Sequence, residues 1–151
     1  MPAENSAVKG EKYLIFTILD SLYTMPSRFI GEIALFDAVY PLPLLPDYVL
    51  GIINRYSTPY ALIDIGMLLQ KKAAKRAKVL ALKEHLDRAA ILIDDVVDIV
   101  DVAPEELIRI EQEGSGDLTD VIESSFKWNG SDVFVLDIRQ ILARAVNELG
   151  N

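Results

Sequence analysis

The sequence predicts a mostly-β protein built as two small, pseudo-repeated, five-stranded β-barrel subdomains with a C-terminal helix. Three observations carry this expectation. Short apolar runs rich in β-branched and aromatic residues recur along the chain, bounded by Pro, Gly, Asn, Asp or Ser. The same order of runs and turns occurs twice. The last stretch changes period: Ile138, Ile141, Leu142, Ala145, Val146 and Leu149 fall on one helical face.

Taken in order, residues 1–10 read as a flexible N-terminal tail. Tyr13 to Leu19 is a buried strand, and Asp20-Ser21 turns it into a hairpin with Leu22–Met25. After Pro26, the spacing of Phe29, Ile30 and Ile33 predicts one turn of helix, followed by a strand through Ala34-Leu35-Phe36. Pro41, Pro43 and Pro46 stiffen the next loop. Gly51–Asn54 opens a strand whose hairpin partner, across Arg55–Pro59, is Tyr60–Ile65. Asp64 caps a short helix containing Met67, Leu68 and Leu69. The basic run Lys71–Lys78 leads to Val79–Leu82, which turns near Glu84–Asp87 into Ala89–Ile93. Asp94–Val102 is a half-polar strand, and Pro104-Glu105-Glu106 reads as a helical first turn. Glu111–Ser125, with Gly114 and Gly116, reads as a loop. Asn129-Gly130, between Phe126–Trp128 and Val133–Leu136, is a hairpin signal. Asp137 with Gln140 three residues later marks the start of the final helix.

The two halves match in register. Lys12-Tyr13-Leu14 aligns with Lys78-Val79-Leu80, an offset of 78 − 12 = 66, which also pairs Met25 with Ile91 and Ile30 with Val96. Further on, Tyr60–Ile65 aligns with Val133–Ile138 at an offset of 137 − 64 = 73. The added residues fit the polar loop Glu111–Ser125. The chain therefore reads as one domain over 11–149, with approximate halves 11–77 and 78–149.

Composition limits the function classes. The 151 residues are 51% hydrophobic and 25% charged, which suits a packed globular fold. A net charge of −8 is a poor match for nucleic acid or anionic membranes. With no cysteine, disulfides, thiolate metal sites and cysteine nucleophiles are excluded. The N-terminus lacks the apolar run of a signal peptide, and no apolar stretch is long enough for a membrane span, so a cytoplasmic location without membrane insertion is expected.

Individual features favour structure over chemistry. Asp64 and Asp137 each precede a helix, so capping explains them better than paired acid–base work. Asp94, Asp95, Asp98, Asp101, Glu105 and Glu106 lack the pattern of a calcium loop and read as a solvated strand edge. His85 stands alone in a turn, without triad or zinc partners. The run Lys71–Lys78 contains no aromatic residue, so a solvated helix end is preferred to a nucleic-acid site. No phosphate-cradling glycine loop occurs. No enzyme, cofactor or metal is expected.

Taken together, Tyr13–Ile18, Met25-Pro26 with Ile30-Gly31-Glu32-Ile33, Gly51-Ile52-Ile53-Asn54, Leu62-Ile63-Asp64-Ile65, Ile91–Asp94 with Val96, and Asn129-Gly130 with Val135–Ile138 resemble the CheW-like domain family of chemosensory systems. The order and spacing of these pieces, not any one of them, carry the resemblance. It implies paired small barrels and a non-enzymatic adaptor. Such an adaptor binds the regulatory domain of a CheA-type histidine kinase at one barrel. It also receives the cytoplasmic tip of a methyl-accepting chemoreceptor in an apolar groove between the barrels. With the sequence ending at Asn151, no receiver-domain fusion is expected.

The resemblance implies Ile30, Glu32, Gly51, Asn54, Arg55 and Tyr56 as partner-binding positions. One stretch departs from it. Gly51, Asn54 and Asp64 keep the family spacing, but Tyr56 and Ser57 stand where the N-x-R-G pattern has arginine and glycine. That arginine pairs in the family with the glutamate matching Glu32. Arg55 is one place earlier, and alternation of faces along a strand aims it elsewhere unless the strand bulges. Two other functions stand beside the adaptor, the first of them motivated by the rewritten turn. One is a diverged scaffold in another pathway, such as pilus-driven motility; the other, from a different class, is a small-molecule-binding barrel.

Overall fold

The computed structural model describes residues 10–35, 38–73, 78–83, 85–110 and 121–149. The expected tail up to residue 9, most of the loop after Glu111, and residues 74–77 of the basic run lie outside them. Among the described residues, eleven strands and two α-helices follow in order: β1 (Glu11–Ile18), β2 (Ser21–Pro26), β3 (Ile30–Ala34), β4 (Val49–Arg55), β5 (Thr58–Asp64), α1 (Ile65–Gln70), β6 (Lys78–Leu82), β7 (Ala89–Ile93), β8 (Asp95–Val102), β9 (Ile108–Arg109), β10 (Ile122–Trp128), β11 (Ser131–Leu136) and α2 (Ile138–Leu149). Short 3-10 turns occupy Ser27–Phe29 and Pro104–Glu106. None of the described helices is long and apolar enough to cross a membrane.

The mostly-β, two-subdomain architecture is as expected. One sheet has six strands in the order β8-β1-β2-β11-β10-β9, and the other five in the order β3-β6-β7-β5-β4. Neither closes its ladder into a barrel. The five-strand count holds for the second sheet, while the first gains the two-residue β9, too short to leave a sequence pattern.

Each sheet draws on both sequence halves. The β1–β2 hairpin joins β8 through antiparallel pairing and β11 through parallel pairing. In the same way the β6–β7 hairpin joins β3 and β5. Bulges repeat with the strands. The extra residue is Gly31 in β3 and Val97 in β8 (97 − 31 = 66), and Leu50 in β4 and Glu123 in β10 (123 − 50 = 73). These are the offsets read from the sequence.

The uninterrupted apolar runs of β1, β6 and β7 are explained by burial on both faces. Leu14, Phe16 and Ile18 of β1 enter the main core with Met25, Leu80, Leu82, Ile91 and the helix residues Ile138 and Ile141. Tyr13 and Ile15, on the opposite face, build a smaller core with Val102, Phe126, Val133 and Val135. Both capping aspartates act as expected. Asp64 accepts from the Met67 backbone N–H at 3.1 Å, and Asp137 from that of Gln140 at 3.1 Å.

Three local expectations are corrected. The predicted helical turn at Phe29–Ile33 is a 3-10 turn ending at Phe29, because antiparallel pairing with β6 draws Ile30 onward into β3. The loop predicted up to Ser125 gives way to strand from Ile122. Ser124 and Ser125 carry no apolar signal, yet both are buried between β9 and β11. The first turn lies at Leu19-Asp20, not Asp20-Ser21, with Ser21 already paired to Ile18.

Candidate functional site

The two edges of the five-stranded sheet, β3 and β4, meet through side chains. Glu32 of β3 and Arg55 of β4 form an ion pair through Arg55 Nη2 and Glu32 Oε1. The sheet therefore curls until its edges face each other, and a side-chain clamp stands where a closed barrel would have a ladder.

Local structure sets up this meeting. The bulge at Gly31 re-aims Glu32, since an extra residue shifts every later side chain in the strand. Arg55 is the last residue of β4, opposite Thr58, so the hairpin is closed by Tyr56 and Ser57 alone. The five-residue connection expected over Arg55–Pro59 is thus tighter than predicted. Both turn residues have positive φ, 53° and 67°, the pattern of a type I′ turn that Asn-Gly would adopt with least strain.

The clamp has four members. Tyr56 Oη donates to Glu32 Oε2 at 3.0 Å, so both carboxylate oxygens are engaged. Arg55 Nη1 donates to Tyr60 Oη at 3.2 Å. The guanidinium also lies over the rings of Tyr56 and Tyr60, each 5.2 Å from the centroid. Tyr60 is buried beneath, while Tyr56 is 79% exposed. Donation to Glu32 and the charge of that carboxylate push the Tyr56 phenol above its ordinary value, against the opposing pull of Arg55.

The six sequence-expected residues thus separate. Glu32, Arg55 and Tyr56 come together. Exposed Asn54 adjoins them and lines, with Ala34, Leu35, Tyr40 and Ile53, a cleft of about 190 Å³ between the sheet edges. Ile30 is half-buried against the main core. Gly51 lies farther back along β4, under the Tyr40–Pro41 backbone. Tyr60 was not anticipated; its alternation within β5 marks it as buried but not as a partner of Arg55.

The acidic residues of β8 and its surroundings are engaged separately. Asp94 accepts from Leu19 N, Asp95 pairs with Lys78, Asp98 accepts from Ile99 N, and Asp101 pairs with Lys12. Glu106 accepts from Ala103 N. Among the described residues no three metal-ligating side chains converge.

A family model of the CheW-like domain matches residues 12–146. The chain belongs to the CheW-like domain family. Among solved structures, the scaffolding protein TtCheW from Thermoanaerobacter tengcongensis superimposes with a TM-score of 0.75 over 85% of this chain and 84% of that one. The two sequences are 16% identical, so this likeness speaks for the fold. No curated protein matches at a significant level. In this CheW-like domain Tyr56 and Ser57 close the turn after β4, and Arg55 and Glu32 make their contact across the sheet edges.

Proposed function

We propose that this CheW-like chain is a non-enzymatic cytoplasmic adaptor coupling a methyl-accepting chemoreceptor to the regulatory domain of a CheA-type histidine kinase. Its mechanism is structural: two binding surfaces on one rigid body pass the receptor's state to the kinase. The observation that carries the reading is the Glu32–Arg55 clamp. Its arginine comes from the neighbouring position, yet it still bridges β3 and β4 on the family fold. The small-molecule reading fits less well, because the cleft beside the clamp, at about 190 Å³, falls below the roughly 300–1,000 Å³ typical of ligand pockets. Titrating the chain against the kinase regulatory domain and the receptor tip encoded in the same genome tests the proposal. Binding to both is expected; binding to neither would sink it.

A further inference from the structure

We propose that Asn129-Gly130, the turn of the β10–β11 hairpin, is a site of spontaneous covalent modification. Asn129 loses its amide through a succinimide formed with the Gly130 nitrogen and becomes aspartate or isoaspartate.

This turn is the second-half counterpart of Tyr56-Ser57 (129 − 56 = 73), at the offset that relates β4–β5 to β10–β11. Both turns have positive φ at both residues, 53° and 67° in the first and 50° and 82° in the second. They differ in chemistry. Tyr56-Ser57 carries no side-chain amide, and its phenol is tied to Glu32. Asn-Gly suits such a turn with least strain. The same two residues set an electrophilic amide carbon beside a backbone nitrogen.

Three features favour the reaction. Asn129 Cγ and the Gly130 nitrogen close a five-membered ring, so the attack is intramolecular. Both residues are exposed, and among the described residues neither the Asn129 side chain nor the Gly130 N–H takes part in a hydrogen bond. Gly130 brings no side chain against the attacking nitrogen, and nothing lies within 4 Å of where its Cβ would stand, so the peptide is free to rotate into line. Asn54 makes the contrast. It is exposed too, but it lies within β4 opposite Pro59, and the next residue is Arg55, whose guanidinium is held by Glu32 and Tyr60.

Water is the sole co-reactant. The Gly130 N–H gives its proton to hydroxide, the nitrogen bonds to Asn129 Cγ, and the tetrahedral adduct expels ammonia. Water attacking Cγ of the succinimide breaks the new C–N bond and leaves aspartate. Water attacking the main-chain carbonyl carbon breaks the original peptide bond and leaves isoaspartate, with the chain running through Cγ. The products differ in consequence. Aspartate tolerates the left-handed backbone as asparagine does, so it keeps the turn and adds one negative charge to the tip of the hairpin that carries the Lys127–Asp132 pair. Isoaspartate lengthens the main chain by one carbon between Trp128 and Ser131, the last pair of the ladder, and the two-residue turn no longer fits.

The test incubates the full folded chain at neutral pH and in mild alkali. Asn129 and Asn54 are then followed by peptide mapping, with fragmentation that distinguishes isoaspartate from aspartate. Asn129 should lose its amide at least about tenfold faster than Asn54, and faster in alkali, where more of the attacking nitrogen is deprotonated. Both products should appear. Gly130→Ala, whose Cβ meets nothing within 4 Å, should fold and react at least about fivefold more slowly. Loss at Asn129 no faster than at Asn54 overturns the proposal. So does aspartate without isoaspartate, which marks direct hydrolysis of the side chain, or a Gly130→Ala variant that reacts as fast as the wild type.

Discussion

Replacing Gly51 with alanine should destabilise the protein by about 2–5 kcal/mol. A Cβ at this position would lie 2.4 Å from the Tyr40 carbonyl oxygen and 2.9 Å from Pro41 Cα. Both obstacles are backbone, so no side-chain rotation relieves them. The Tyr40 segment is fastened to β4 by two hydrogen bonds, Tyr40 N–H to Ile52 O at 2.8 Å and Ile52 N–H to Tyr40 O at 2.9 Å. Moving the segment away breaks this pair, worth about 0.5–1.5 kcal/mol each net. The φ of 145° adds strain of about 1–3 kcal/mol for a residue with a side chain. Gly130→Ala is the internal control, because Gly130 also has positive φ, 82°, but a Cβ there meets nothing within 4 Å. Urea unfolding of the two variants therefore separates collision from strain. A Gly51→Ala loss no larger than that of Gly130→Ala would refute the argument. Any loss of partner binding by Gly51→Ala should follow the loss of folded protein, since this glycine shapes the strand edge from beneath another backbone.

Ser57→Gly should stabilise the fold by about 0.5–1 kcal/mol in urea unfolding, because relief of the left-handed conformation at φ 67° outweighs the entropy glycine loses. A double-mutant cycle on Glu32→Ala and Arg55→Ala should give a coupling of about 1–2 kcal/mol, above that of a fully exposed pair because both groups are largely shielded. Glu123 is pushed above its ordinary value of 4.5, first by burial and next by Asp137, with Arg109 and Arg28 pulling the other way. A raised carboxyl binds its proton more tightly in the folded state. Its penalty is therefore full above the raised value and disappears as pH falls through that value toward 4.5. Glu123→Gln should accordingly raise Tm at pH 7, with the advantage shrinking in acid; equal Tm values at pH 7 would count against this.

Much of the fold was legible because its signals are local. The apolar runs of β1, β6 and β7, the Asn129-Gly130 turn and the two capping aspartates are each set by residues adjacent in sequence. The exchange of hairpins between sheets was not legible, since parallel pairing of β2 with β11 joins segments from opposite ends of the chain and leaves no periodic trace. Buried serines hid the start of β10. At the site, Glu32 and the anomaly at Tyr56-Ser57 were visible, but whether Arg55 could reach Glu32 was not. Strand alternation argued against it. The curl of the sheet and the Gly31 bulge reversed that argument, and both depend on pairing with β6. Ile30 and Gly51 follow the family pattern in sequence, yet the structure places one against the core and the other beneath a neighbouring backbone.

The exchanged hairpins bear directly on how an adaptor could transmit a state. The chain passes from one sheet to the other between β2 and β3 through the three residues Ser27–Phe29, and between β7 and β8 through Asp94 alone. Asp94 is itself fixed, its backbone N–H donating to Thr17 O at 2.9 Å and its carboxylate accepting from Leu19 N at 2.8 Å. Links this short leave no slack for the sheets to swing apart. Separating them would require stripping the β1–β8 or β3–β6 ladder, and would open the main core that residues from both sheets share. A load applied at the Glu32–Arg55 edge is therefore carried to the six-stranded sheet through backbone and core together. Two small sheets, each marginal alone, become one stiff body because short links and a shared core join them.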